Sequence, residues 1–108
     1  MNASSRIQFT FQACADLNNI WEWIAMPSDI WGSTNADHLA AAKSFADKFE
    51  QLCQLLTLHP EMGPSRNRLQ DGIRSLLFQR YVIFYRTRGN CVEVMRVLRA
   101  TREIDVVV

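Results

Sequence analysis

Between residues 73 and 98, three runs rich in β-branched and aromatic residues (73–78, 81–86 and 92–98) follow one another with only short polar breaks. Such runs cannot stay single, because every backbone N–H and C=O they bury needs a partner, and neighbouring strands supply them. Arg88-Gly89-Asn90 separates the second and third runs. Gly-Asn is a two-residue hairpin signal, so these runs are expected to pair antiparallel. Asp71-Gly72 turns the chain into the first run, and Gln79-Arg80 is a tight link to the second. Within 80–86, alternation puts Tyr81, Ile83 and Tyr85 on one face and Val82, Phe84 and Arg86 on the other. Both faces are too apolar for open water. One must meet the rest of the chain, and the other is expected to be covered in part by a partner.

The preceding residues supply the cover. IQFTF at 7–11 alternates apolar and polar residues, which predicts a short strand. The period then changes: Ala13, Leu17, Ile20, Trp21 and Ile24 share one helical stripe, while Asp16, Asn19, Glu22 and Trp23 lie off it. This first helix, over 13–24, should stop near Met26, before Pro27. A second helix is predicted over 37–58, with Ala42, Phe45, Ala46, Phe49, Leu52, Cys53 and Leu56 at helical spacing. Asn35 or Asp37 can cap its start, and His59-Pro60 followed by Met62-Gly63-Pro64 closes its end. The expected fold is α+β, ordered β-α-α-β-β-β, with a small antiparallel-dominated sheet packed on a two-helix hairpin. Residues 1–108 are expected to form a single domain.

Composition narrows the function classes. With 48% hydrophobic and 21% charged residues the chain is an ordinary globular sequence, long enough to bury a core without a staple. No apolar run reaches the roughly 20 residues of a membrane span, and MNASSRIQFTF lacks the pattern of a secretory signal, so a cytoplasmic protein with no membrane partner is expected. Cys14, Cys53 and Cys91 are read as free, mostly buried thiols. The only histidines, His38 and His59, have no metal-binding spacing. GxSxG, P-loop and GxGxxG motifs are missing, so no metal or cofactor is expected. Asp16 and Glu22 read as solvated helix surface.

The formal charge of +1 hides an asymmetry: residues 1–60 carry −3, and residues 61–108 carry +4 with every basic group an arginine. An arginine-only half suits an acidic partner or a polyanion, or else a solvated face with ion pairs at its edge. Arg74 and Arg96 can stand on the strands, with Arg99 and Arg102 just beyond the last. Basic groups beside aromatic rings can hold RNA by phosphate contact and stacking, and serve equally to receive an acidic, partly disordered peptide. Trp23, off the buried stripe, is a candidate interface anchor; the alternative is packing against Trp31 or the neighbouring loop.

Taken in order, ADLNNIWEWI, the LxxHPEMG that ends the second helix, GIRS, YVIFYR and VEVMRVLRATREI span almost the whole chain. Together they resemble ParE-type toxins of the wider RelE/ParE toxin–antitoxin superfamily. The resemblance implies a compact β-α-α-β-β-β toxin, neutralised by a ParD-like antitoxin in a hetero-oligomer, that arrests growth when free. It further implies DNA gyrase as the target, inhibited by binding. The antitoxin surface is expected at Trp23, Arg74, Tyr81, Arg86 and Arg96, and the target surface at Arg99 and Arg102.

The alternative within the superfamily is a RelE-like, ribosome-dependent mRNA endoribonuclease. There Arg74, Arg99 and Arg102 would stabilise charge, and Tyr81 or Tyr85 would transfer a proton. Against the RelE pattern, its lysine positions fall on Ile73 and Ser75, its strand arginine on Val82 and its terminal tyrosine near Val108; only Arg102 matches. ParE-type ends usually carry His-Gly before an Arg-Asp pair, where this chain has Arg99-Ala100-Thr101-Arg102-Glu103. Hydrophobic replacements supply neither a base nor charge for phosphate chemistry, which favours inhibition by binding.

Overall fold

The computed structural model describes residues 6–25 and 35–100. Six elements follow in the expected order: β1 (Arg6–Phe9), α1 (Phe11–Ala25), α2 (Asn35–Leu58), β2 (Arg74–Phe78), β3 (Tyr81–Arg88) and β4 (Cys91–Arg99). The strands form one mixed sheet in the order β1-β4-β3-β2. β2, β3 and β4 pair antiparallel, and β1 lies parallel to β4. The points where the first helix ends, near Met26, and where Trp31 packs lie outside the described residues.

The turns follow the local chemistry. Arg88 pairs with Cys91, leaving Gly89-Asn90 as the loop, and Gly89 alone of the two has positive φ (59°). That is the pattern of a hairpin turn with glycine in its first central position. Gln79 does the same job between Phe78 and Tyr81 at φ 55°, where its Cβ makes the conformation costly.

The switch from β1 to α1 comes earlier than the alternation of 7–11 suggests. Thr10 caps the helix, accepting the Ala13 N–H on its hydroxyl at 3.1 Å. Phe11 is therefore the first helical residue and is exposed rather than the inward end of a strand. Thr10 also donates its N–H to the Val94 carbonyl (3.0 Å) and its hydroxyl to the Met95 carbonyl (2.8 Å). Where β1 stops, α1 thus takes over the hydrogen bonding of the β4 edge.

At that junction β4 carries a bulge. Phe84 pairs with Arg96 and Tyr85 with Val94, so Met95 is the extra residue. The bulge changes the parity of the strand: Val92 and Val94 face the helices, and so does Val97. With Phe45, Phe49, Cys53 and Leu56 of α2 and Ile83 and Tyr85 of β3 they form the core. Phe45 and Phe49 stack on each other and meet Phe78 edge-on, at 5.2 and 5.6 Å between centroids.

The opposite sheet face is partly covered by the chain itself. Ile73, Ser75 and Phe84 are buried there, and the segment after α2 folds back along β2. Ser75 N–H donates to Pro64, Arg66 N–H to Ile73, and Arg66 Nε to the Ser75 hydroxyl at 2.7 Å.

Candidate functional site

Two kinds of surface remain after the core closes. The first is an apolar groove of about 400 Å³ between α1 and α2. Cys14, Leu17, Asn18 and Trp21 line it from one stripe of α1, facing Phe45, Ala46 and Phe49 of α2, with Phe9 of β1 between them. The spacing on α1 is that of a single helical face. Trp21, whose stripe predicts burial, stays 39% exposed because it borders this groove instead of the sheet. Cys14 is exposed here too, whereas Cys53 is buried, with burial and the nearby Glu50 charge pushing its thiol up to about 11.

The second surface is the arginine-bearing sheet, and the structure divides its cations by use. Arg96 is bound bidentately by Asp16 of α1, Nε to Oδ2 at 2.8 Å and Nη2 to Oδ1 at 3.0 Å. Asp16 Oδ2 also accepts the Val97 N–H at 3.0 Å. Asp16, expected on solvated surface, is instead the bracket between α1 and the edge of β4; a carboxylate six residues beyond the Thr10 cap, less than two helical turns on, lies level with the strand edge that β1 has vacated. Its hydrogen bond raises the Arg96 guanidinium further above its ordinary range. Glu22, expected to be solvated as well, is exposed.

Arg86 donates through Nε to Glu93 on the paired strand at 2.7 Å, and Arg88 reaches the same carboxylate at 4.0 Å. Arg74 spends its Nη1 on the Gly63 carbonyl (2.8 Å) and, more weakly, on that of Glu61 (3.4 Å). Each of these arginines fastens one segment of the chain to another.

The tyrosines are also committed. Tyr85 is fully buried, and its hydroxyl accepts the Gly63 N–H at 2.9 Å. Burial pushes its phenol up, against the opposing pulls of the Gly63 N–H and the Arg74 charge. Tyr81 is half-buried, its ring edge-on to Phe45 at 5.6 Å. Gly63 is essential to this arrangement: a Cβ there would press on the Ser75 carbonyl oxygen and come within 2.7 Å of the Tyr85 hydroxyl. In the sequence Gly63 reads only as part of a helix-ending turn. Its contact with Tyr85, 22 residues away, leaves no local signal.

Trp23 and Arg99 behave differently. Trp23 is 67% exposed near the end of α1, and the Arg99 guanidinium lies 5.9 Å from its ring centroid. The residue expected on an antitoxin surface and one expected on a target surface are therefore neighbours. Arg102 lies outside the described residues.

A two-helix hairpin on a four-stranded mixed sheet, with a groove between the helices and no group of metal-holding side chains among the described residues, is a small α+β domain whose exposed features suit protein binding. The family model for the ParE toxin of type II toxin-antitoxin system, parDE, matches residues 7–104, and the chain belongs to that family. In three dimensions it resembles a chain of the chromosomal ParDE TA system from P. aeruginosa, with a TM-score of 0.68 over 93% of this chain and 100% of that one. The sequences are 20% identical, so that likeness is one of fold. No curated protein matches the chain. Among the described residues no helix is long and apolar enough to cross a membrane.

Proposed function

We propose that the chain is held silent by a ParD-like antitoxin and, when free, inhibits DNA gyrase by binding it. The observation that carries the antitoxin half is the α1–α2 groove, whose aromatic lining remains open in the isolated chain. A groove lined at i, i+3, i+4 and i+7 by one helix suits the apolar face of an amphipathic helix, the form an antitoxin tail would take as it orders on binding. Arg74, Arg86 and Arg96, proposed contacts for that partner, have internal hydrogen bonds that a new acidic partner must share or displace.

Inhibition by binding, rather than RNA cleavage, is supported by the state of the tyrosines. General acid–base catalysis needs a group within hydrogen-bond reach of the reacting hydroxyl. Tyr85 is sealed in the core with its hydroxyl engaged, and Tyr81 packs against Phe45.

Purified toxin, freed of antitoxin, is expected to stop gyrase supercoiling or trap cleaved DNA. Unimpaired supercoiling at large toxin excess would sink the gyrase reading. Discrete cuts in translated messages, lost in Arg102→Ala, would replace it with the nuclease.

A further inference from the structure

The α1 end of the sheet holds a cluster that neither the core nor the groove uses. Arg99 ends β4, and its strand partner is Tyr81. The residue before Tyr81, Arg80, is joined to the same place through its backbone, since its carbonyl accepts the Ala100 N–H at 2.8 Å. Arg80 and Arg99 are both exposed, and among the described residues neither has a carboxylate within ion-pair distance. Over Arg99 stands the exposed Trp23 ring.

We propose that this corner, Trp23 with Arg99 and Arg80, is where the free toxin grips its cellular target, and that it recognises an acidic segment of a protein. The inference rests on the toxin reading and extends it to a surface separate from the antitoxin groove. Three arguments carry it. An exposed tryptophan backed by a guanidinium is the composition of an interface anchor: the ring offers a large rigid contact, and Arg99, steadied over it, loses less freedom when it binds. Two guanidiniums without an ion-pair partner among the described residues favour carboxylates, which they bind in parallel pairs. Across the sheet behind this corner Arg86 and Arg96 are neutralised by Glu93 and Asp16, which interrupts any basic track leading from it. A polynucleotide would need a continuing basic track. Exposed cations also stand at the opposite, hairpin end, where Arg6 pairs with Cys91 and Arg88 lies at the edge of the Glu93 pair, but no exposed tryptophan accompanies them among the described residues.

The test compares wild type with Trp23→Ala, Arg80→Glu and Arg99→Glu, and with Arg6→Glu as the control at the far end. Each is induced in bacteria without an antitoxin and, once purified, titrated against DNA gyrase holoenzyme. All four variants should melt within a few degrees of wild type. The three corner variants should need at least tenfold more protein to arrest growth, while Arg6→Glu matches wild type. Arg99→Lys, which keeps the charge, should recover part of the loss and keeps the test decisive should Arg99→Glu fold poorly. Corner variants that arrest growth like wild type overturn the proposal, as does equal loss in Arg6→Glu. Binding of a single-stranded RNA oligonucleotide that disappears in the corner variants also overturns it. Growth arrest by wild type without any effect on gyrase removes the gyrase reading alone, since the growth comparison still judges the corner. A wild-type chain that leaves growth untouched sinks both.

Discussion

Arg96 and Arg99 stand three residues apart on one strand and have opposite fates. Arg96 is held in a two-pronged grip by Asp16 at the point where α1 replaces β1 along the sheet edge. Arg99 reaches past the end of that contact to an exposed tryptophan, with no acid in ion-pair reach among the described residues. The difference comes from what flanks the strand and not from the residue type. Where the edge of β4 has lost its neighbouring strand, a carboxylate is needed to receive the free Val97 N–H, and the same carboxylate fixes Arg96. Beyond that point no described backbone group calls for an acid, and the proposed use of the charge is to meet a partner.

That contrast can be broken most forcefully through the loop anchor on the paired side. Gly63→Ala should cost about 3 kcal/mol, because the added methyl meets backbone and a buried phenol that cannot yield. A urea melt with less than about 1 kcal/mol of loss would show that the Gly63–Tyr85–Arg74 arrangement is looser than described. Next comes the bracket itself. Asp16→Ala should remove about 2 kcal/mol, since it orphans a backbone N–H and uncovers Arg96, whereas Arg99→Ala should change stability by no more than about 0.5 kcal/mol. Equal losses for the two would erase the distinction between the regions.

The smallest effect is alkaline. Cys53 and Tyr85 hold their protons more tightly folded than unfolded, so the unfolded chain releases them first as pH rises. Stability is therefore full below about pH 9, the ordinary thiol value, and falls as pH climbs toward 11. The loss should be on the order of 1–2 kcal/mol, and Cys53→Ala should flatten its thiol part. A pH-independent midpoint between 8 and 10.5 would count against the burial of both groups.

Periodicity carried most of the fold. The α2 stripe from Ala42 to Leu56, the Gly89-Asn90 turn and the order of strands are local patterns, and the structure follows them. The misreadings lie where a residue answers to something distant. Phe11 continues the alternation of β1, but Thr10 caps a helix there and turns it outward. Asp16 looks like solvated helix surface until the edge of β4 is brought to it, 81 residues later in the chain. Trp21 sits on the right stripe but borders a gap between two helices, and no pattern within one helix reveals how far its neighbour stands away. The placement of Trp23 off the buried stripe was legible; its pairing with Arg99 was not, because that contact joins two elements through the third dimension.

The bulge at Met95 bears on how this sequence can vary. Because it exchanges inside for outside halfway along β4, the two halves of the strand are out of phase, and the spacing between Val94 and Val97 is fixed by the fold. Loss of Met95 alone would leave a regular ladder with Val97 still inward, whereas straightening the strand at its full length would send Val97 toward solvent and draw Arg96 and Leu98 inward. Substitutions can accumulate on either side, and the one length change that keeps the phase here is loss of the bulge residue itself; other insertions and deletions are better placed in the loops.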